Sequence, residues 1–311
     1  MTRRREYFYT VAILLVTLFG SYTVWHYSMP DHYPSPPSLF TIESAMAQTD
    51  SSTSASQMLV VPVIVQPQSP SVLVVPVVEP AAVASEPGEP VSVPILMYHK
   101  INDFSGGLYT ISPDEFDWQM QYLKENGYHT VSIASVLDHF EKGKPLPEKP
   151  VVITLDDGFR DNYLNAYPIL KKYGFTATIF VTTNTVAPEE ITNMMLTWSQ
   201  IKEMAADGIT MGCHTLNHSD LTSVSLGEAK RQITDSKEIL EDQLGIKIDV
   251  FAYPYGCHNY NVEKLVEECG FRAAVTVNPE PVSSVENPFT LNRIGIYSNL
   301  SRSGFITKVS V

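Results

Sequence analysis

Two adjacent carboxylates and a pair of histidines are the residues in this chain whose types and spacing could do chemistry. Asp156 and Asp157 directly follow the apolar run Val151–Leu155, and His214 and His218 recur at a four-residue spacing. Together these side chains offer three metal ligands and one spare carboxylate. A hydrolytic metal site needs such a set, because the ligands must leave a position open for water and a base must stand beside it.

The elements around these residues must bring them to one place. Side chains alternate between the two faces of a strand, and the alternation breaks at Gly158, where the backbone can turn freely. Asp156 and Asp157 can then reach one pocket in different roles, and a helical turn or a tight loop can aim both histidines at one ion. One carboxylate with two imidazoles suits Zn²⁺ or a similar divalent ion. An isolated Asp-Asp-Gly is more often a plain turn, so the interpretation depends on both motifs together.

Three segments of the chain resemble the motifs of a known family. Thr154–Gly158 and His214–His218 are similar to the first two motifs of the polysaccharide deacetylases, and Phe251–Gly256 is similar to the third. This family is also called the NodB-homology group, or carbohydrate esterase family 4. The resemblance extends from Val91 to the C-terminus, and three motifs in the right order make it specific. It implies a distorted (β/α) barrel and a metal-dependent enzyme that removes N-acetyl groups from acetylated amino sugars.

The resemblance also implies a role for each residue of the motifs. Asp156 would be the general base. A divalent metal, with Zn²⁺ the expected ion, would be held by Asp157, His214 and His218. The backbone N–H of Tyr255, which follows Pro254 in the third motif, would help to stabilise the oxyanion.

The third motif departs from the family pattern at one position. The family carries an arginine two residues before the proline of this motif, where the present chain has Ala252. Since that arginine orients the base carboxylate, either another residue replaces it or activity is weakened. Arg160 and Arg293 are the candidates, and the sequence does not choose between them. The loss of the arginine also favours one alternative function, a glycan-binding relative without catalysis.

A second departure lies near the C-terminus, where the family's leucine-x-histidine motif is missing and Leu291–Arg293 occupies the region. The upstream segment Pro94–His99 instead resembles the circularly permuted branch of the family, which includes deacetylases of poly-β-1,6-N-acetylglucosamine. In that branch the histidine general acid comes from the N-terminal strand, and the resemblance implies that His99 fills this role. The alternative is a strand-end histidine without a catalytic part. Trp198 is a candidate wall of the sugar groove, with packing in the core or at the rim as the alternative.

The N-terminal residues predict where the protein resides. Arg3–Arg5 precede an uncharged stretch from Tyr7 to about Trp25, which is long enough to span the hydrocarbon core of a bilayer. The basic cluster predicts a signal anchor at residues 1–27 in the cell membrane, with the rest of the chain outside the cytoplasm. Secretion after signal cleavage is the alternative. Residues 28–90 are rich in Pro, Val and Ser, which predicts a disordered, extended linker because prolines interrupt a sheet.

Residues 91–311 form the predicted catalytic domain, in which strand and helix signals alternate. This alternation indicates the α/β class with a mostly parallel sheet or barrel. The predicted strands are Val151–Leu155, Thr130–Ile133 and Thr176–Val181. The predicted helices are Asp114–Gly127, Asn162–Tyr173, Ser199–Ala206, Leu226–Leu244 and Val262–Cys269, and Ser199 is expected to cap the third of them.

Composition narrows the range of partners. The net charge of −13 disfavours nucleic acid, and the irregular spacing of the three cysteines indicates neither a zinc finger nor a disulfide framework. The expected partners are an acetylated amino-sugar polymer and the cytoplasmic membrane, and the oligomeric state is left open. The polymer could be poly-N-acetylglucosamine, peptidoglycan or a chitin-like chain. A metallohydrolase acting on another amide or ester, such as acetylated xylan, is the remaining alternative.

Overall fold

The structure is a computed structural model that describes residues 92–104, 106–190, 194–285 and 287–310. The membrane anchor and the linker predicted for residues 1–90 lie outside the described residues. Within the described ranges, no helix combines the length and the apolar character that crossing a membrane requires.

Short parallel strands form a curled sheet that makes a half-barrel. In the described part of the chain the strand order from edge to edge is β10-β1-β5-β6-β7-β8-β9, and β4 pairs with the first residues of β5. A separate parallel pair, β2 with β3, stands beside this sheet. The strands are β1 (Ile95–Tyr98), β2 (Lys100–Ile101), β3 (Thr110–Ile111), β4 (His129–Thr130), β5 (Pro150–Leu155), β6 (Thr178–Val181), β7 (Thr210–Cys213), β8 (Val250–Ala252), β9 (Ala273–Val275) and β10 (Ile294–Gly295). Parallel pairing sets the carboxyl ends of the strands along one rim, where active sites of barrel enzymes gather.

Helices cover the sheet and bury its outer face. The α-helices are α1 (Pro113–Glu125), α2 (Ile133–Lys142), α3 (Tyr167–Tyr173), α4 (Trp198–Ala206), α5 (Leu226–Leu244), α6 (Tyr260–Glu268) and α7 (Arg302–Val309). Alternate strand residues, such as Leu96 and Ile153, enter a large core shared with α1 and α3 to α7, whereas their neighbours Ile95 and Val152 enter a smaller core with α2. Both faces of the strands are therefore apolar, which explains the continuous hydrophobic runs in the sequence.

The predicted strand Thr130–Ile133 is too long. The strand covers only His129–Thr130, although the Val131 N–H still donates to the Val151 carbonyl of β5 at 2.9 Å. Ile133 is the first residue of α2, a helix that the sequence analysis did not predict. The oxygen of Ser132 accepts a hydrogen bond from the backbone N–H of Ser135 at 3.0 Å, and Gly143 ends the helix in a left-handed conformation. Both are ordinary capping signals that the sequence carries.

The expected serine cap of α4 is also wrong. Thr197 is the N-cap, and its side chain and that of Gln200 form a reciprocal capping box, so Ser199 lies inside the first turn. The predicted helix Asn162–Tyr173 is confirmed as helical, but its first five residues, Asn162–Ala166, are wound as a π-helix before α3 begins. Single-turn π segments of this kind occur mostly near functional sites.

Candidate active site

The base candidate Asp156 is held by a buried arginine. Asp156 follows the last residue of β5 and is 2% exposed. Both of its carboxylate oxygens accept hydrogen bonds of 2.7 Å from the two terminal nitrogens of Arg293, which is fully buried. The same guanidinium donates to the hydroxyl of Thr154 at 3.1 Å and to the carbonyl of Thr276 at 2.8 Å. A bidentate pair with these additional bonds fixes the carboxylate in one orientation.

Of the two arginines that the sequence offers for orienting the base, the structure places Arg293 against Asp156. Arg293 comes from the segment that leads into β10, 137 positions away from Asp156 in the chain. In the described ranges Arg160 makes neither a hydrogen bond nor an ion pair with Asp156. Burial raises the pKa of Asp156, but the charge and hydrogen bonds of Arg293 outweigh it, so that the pKa lies below its ordinary value. Asp156 is therefore an ionised, oriented carboxylate.

The neighbouring carboxylate faces two imidazoles instead. Oxygen Oδ1 of Asp157 lies 3.4 Å from Nε2 of His214 and 3.2 Å from Nε2 of His218. This oxygen is buried and has no hydrogen-bond partner in the described part of the chain. The ligand atoms of the three residues all lie within 4.8 Å of one another. Since buried polar atoms are nearly always paired, an orphaned carboxylate oxygen between two imidazole nitrogens fits a divalent cation such as Zn²⁺.

Unusual backbone conformations bring these ligands together. Asp157 and His218 have φ angles of 77° and 57°, and Thr215 and Tyr255 have 67° and 61°. Left-handed conformations are uncommon for residues with a Cβ, and they concentrate where the surrounding structure holds a functional site in place. The turn after β5 therefore needs Asp157 as well as Gly158, whose φ is 80°, to point consecutive carboxylates into one cavity.

The loop after β7 is secured from several sides. Nδ1 of His214 bonds the carbonyl oxygen of Ala252 at 2.7 Å, which leaves Nε2 to face Asp157. The backbone N–H of His218 donates to the Thr215 hydroxyl at 2.9 Å, and the N–H of Asn217 donates to Gln232 of α5 at 3.1 Å. Although Ala252 lacks the side chain of the family arginine, its carbonyl orients His214 in the way that the outer partners of metal-binding histidines commonly do.

Protonation in this cluster follows from the mutual contacts. Burial raises the pKa of Asp157, yet the close approach and the charges of the two histidines lower it more, so that it lies far below its ordinary range. Burial lowers the pKa of His214, but the two aspartates and the Ala252 carbonyl outweigh it and the pKa is raised. The cluster thus carries an ionised carboxylate at ordinary pH.

His99 lies at the end of β1 and lines the same cavity as the two aspartates. Its Nδ1 is buried and lacks a hydrogen-bond partner among the described residues, and its ring centre lies 4.6 Å from that of Tyr109. Burial lowers the pKa of His99, and the charges of Asp156 and Asp157 oppose that effect only in part. The structure therefore places an acid–base group on the wall of the cavity, with a nitrogen that the described residues leave for a ligand.

The cavity itself has a volume of about 350 Å³. Its wall includes Tyr255, which is 64% exposed and whose ring packs edge-on against that of His218 at 4.6 Å between centres. Pro254 is buried at the start of the same turn. Trp198, in contrast, is half-buried against the main core and is not among the residues that line the cavity, which favours its packing alternative.

Comparison with known proteins then decides the family. The family model described as polysaccharide deacetylase matches residues 143–274. Over 217 residues the chain is 34% identical to YxkH of Bacillus subtilis (strain 168), which is assigned to the polysaccharide deacetylases, and the alignment covers 70% of this chain and 76% of that protein. The chain belongs to the polysaccharide deacetylase family. It is accordingly a deacetylase, as its named relatives are.

Two further relatives support this assignment. The poly-β-1,6-N-acetyl-D-glucosamine N-deacetylase of Staphylococcus aureus (strain MSSA476) is 29% identical over 196 residues, covering 60% of this chain and 67% of that protein. The solved structure of the Streptococcus pyogenes deacetylase PplD in complex with acetate is 34% identical, with a TM-score of 0.67, and covers 72% of this chain and 100% of that one. The expected NodB-type fold is thus confirmed at the level of a curled parallel half-barrel with helices.

Two residues of this deacetylase site were missed by the sequence analysis. Asn162, in the π-helix and almost fully buried, donates to the carbonyl of His99 at 2.7 Å and thereby ties the first motif to the strand end that carries the histidine. Tyr109 contacts the His99 ring directly. Asn162 offered no distinct signal, because an asparagine at the start of a predicted helix is typical of an ordinary cap. Tyr109 offered none, because only the pairing of β2 with β3 brings it to the site.

Proposed function

We propose that this protein is a metal-dependent N-deacetylase of an acetylated amino-sugar polymer, acting outside the cytoplasm. The observation that carries the proposal is the contrast within Asp156–Asp157. One carboxylate is oriented by Arg293 as a base, and its neighbour leaves an unpaired oxygen between His214 and His218. A divalent ion held by Asp157, His214 and His218 would supply Lewis-acid polarisation of the acetamide carbonyl and a more acidic water.

The residues of the chain then have definite tasks. Asp156 accepts a proton from the attacking water, whose oxygen forms a bond to the acetamide carbon. The backbone N–H of Tyr255 donates to the carbonyl oxygen as negative charge develops there, an interaction often worth about 2.7–4 kcal/mol. His99, in its protonated form, transfers a proton to the nitrogen as the carbon–nitrogen bond breaks. Acetate and a free amino sugar result, and acid–base assistance of this kind contributes about 10²–10⁴-fold.

Arg293 removes the main support for a glycan-binding relative without catalysis. That alternative rests on Ala252, which stands where the family has an arginine. In this chain Arg293 makes a bidentate pair with Asp156, the carboxylate that the family arginine would orient. The proposal of an extracytoplasmic location is supported by Arg3–Arg5 and the apolar residues after them. We propose poly-N-acetylglucosamine as the first substrate to test, because a relative that is 29% identical bears that polymer in its name.

The proposal is tested by acetate release from a panel of glycans. Poly-β-1,6-N-acetylglucosamine, chitin oligomers, peptidoglycan and acetylated xylan are each incubated with the full chain in detergent, with Asp156→Asn as the matched control. We expect acetate from at least one amino-sugar polymer and about 10²–10⁴-fold less with the variant. Release of acetate from acetylated xylan alone would show that the protein is an esterase rather than an N-deacetylase. Equal release by both proteins would reject Asp156 as the base.

A further inference from the structure

A second cavity adjoins the catalytic one and shares a wall with it. Its volume is about 560 Å³, and Tyr297 lines both cavities. The catalytic cavity, at about 350 Å³, lies near the lower end of the roughly 300–1,000 Å³ range of ligand sites. The mechanism assigns no task to the larger cavity. A polymer that enters the smaller one must continue somewhere along the surface of the protein.

The partition between the two cavities is aromatic. Tyr109 lines the catalytic cavity, whereas its chain neighbours Leu108 and Thr110 line the second one. The Tyr109 ring centre lies 4.6 Å from that of His99 and 5.4 Å from that of Tyr297. About half of Tyr109 is exposed, so the ring offers a surface to whatever crosses the partition.

Backbone hydrogen bonds hold the main chain that carries this ring. The carbonyl of Tyr109 accepts from the N–H of Lys100 at 3.1 Å, and the carbonyl of Leu108 accepts from the N–H of Ser298 at 2.9 Å. β2 and β3 add the parallel pairing of Lys100 with Thr110. A ring anchored in this way loses little conformational freedom when a ligand stacks on it, which favours binding.

The chemistry of the reaction gives the direction in which the glycan continues. The acetyl group must lie at Asp157 and the histidine pair, and the nitrogen that leaves must lie at His99. The sugar ring is bonded to that nitrogen, so it stands on the His99 side, next to Tyr109. The residues that line the second cavity include the polar Asp103 and Ser298, which suit a hydroxyl-rich sugar.

We infer that the glycan runs from the catalytic cavity over Tyr109 and Tyr297 into the second cavity, which binds the sugar residue next to the one that loses its acetyl group. The inference rests on the proposed function and deepens it, because it names the place on the protein that binds the neighbouring sugar of the polymer. Sugar rings carry apolar faces that stack on aromatic rings, and such a contact is worth about two- to tenfold in affinity.

Dimer and hexamer of N-acetylglucosamine, in both the β-1,6- and the β-1,4-linked forms, test the inference. The readout is the ratio of kcat/KM for the hexamer to that for the dimer. Ser298→Trp fills the second cavity with a large side chain. The position is exposed, and the backbone N–H of any residue there can donate to the Leu108 carbonyl as Ser298 does. Ser298→Ala is the matched control. Tyr109→Ala removes the ring, and Tyr109→Phe keeps it. Thermal unfolding of each variant checks that the fold is retained.

We expect the native ratio to exceed one, and we expect Ser298→Trp to lower it about tenfold while Ser298→Ala changes it less than about twofold. Tyr109→Ala should lower it about two- to tenfold and Tyr109→Phe should preserve it. A native ratio of one, or a ratio that Ser298→Trp leaves intact, overturns the inference while the deacetylase stands. No acetate from any oligomer under conditions where the protein is folded and loaded with Zn²⁺ rejects the proposed function itself.

Discussion

Asp156 and Asp157 are chemically identical neighbours that the fold treats in opposite ways. Asp156 is buried and receives two hydrogen bonds of 2.7 Å from Arg293, so the protein itself satisfies its charge. Asp157 keeps a buried oxygen without a hydrogen-bond partner among the described residues, and its backbone has a φ of 77°. The protein's own hydrogen bonds satisfy one half of the site, whereas the other half keeps the oxygen that the proposed metal ion would bind.

This difference teaches how one turn can carry two functions. A base must be held still and kept ionised, which a bidentate arginine achieves. A metal ligand must remain available, which requires that no hydrogen-bond donor of the protein saturates it. The contrast predicts that substitutions on the two sides separate stability from metal binding.

The largest expected effect is on the metal side. Asp157→Asn keeps the shape of the side chain and tolerates a left-handed backbone, but it removes the charged ligand. We expect metal content to fall to background and acetate release to drop by about 10³-fold or more, since carbonyl polarisation and water activation are lost together. Elemental analysis and acetate release measure this. Asp156→Asn should retain the metal, and loss of metal in both variants would contradict the separation of roles.

The next effect is on stability. Arg293→Met leaves the Asp156 carboxylate buried without its partner, and breaking a buried pair in this way costs about 3–5 kcal/mol of the free energy of unfolding. Urea unfolding in the presence of a chelator measures it. Arg160→Met is the matched control, for which we expect a change below about 1 kcal/mol. Similar losses in both variants would show that Arg293 has no special place in the site.

A smaller effect should follow from loosening the strand end that carries His99, the proposed general acid. Asn162→Ala removes the hydrogen bond to the carbonyl of His99. We expect kcat/KM to fall by about 5- to 30-fold, which corresponds to about 1–2 kcal/mol of transition-state stabilisation. The pH profile should change and the metal content should not. The matched control is Asn165→Ala, which removes a similar hydrogen bond of 2.6 Å, from the side chain of Asn165 to the carbonyl of Ile101. Should the two variants change the pH profile alike, Asn162 is only a structural residue.

The smallest effect concerns the stability of the folded protein at low pH. Burial raises the pKa of Asp156, but the charge and hydrogen bonds of Arg293 lower it by more, so the folded pKa lies below the ordinary 3.8. The unfolded chain therefore takes up the proton first as the pH falls, and the stability from this pair is present above about pH 4 and lost below it. We expect the stability advantage of the native protein over Asp156→Asn to shrink as the pH falls below about 4. A constant difference down to about pH 2 would contradict the pairing.

Local patterns explain how much of the site could be predicted from the sequence. Both motifs stand directly after strands, so their convergence at one rim followed from parallel pairing, and the candidate metal ligands could be named by residue type. The partner of Asp156 could not, because the contact with Arg293 spans 137 positions and depends on how the half-barrel curls. Spacing rules describe neighbours in a strand or helix, and they contain no information about contacts of that range.

The helices likewise divide into those that the sequence predicted and those that it did not. Long helices with clear caps, such as Leu226–Leu244, were predicted with their bounds. Helix α2 was missed although Ser132 and Gly143 signal both of its ends, because the apolar residues Val131 and Ile133 were interpreted as a strand. The π-helix at Asn162–Ala166 has no sequence signal of its own, since the same residues satisfy an ordinary helical pattern.

Acetate release from an acetylated glucosamine polymer, measured after chelation and again after Zn²⁺ is restored, tests the central claim most directly. The account predicts turnover by the untreated protein, none after chelation, and recovery with the metal in the native protein but not in Asp157→Asn. Turnover that survives complete removal of the metal would contradict it.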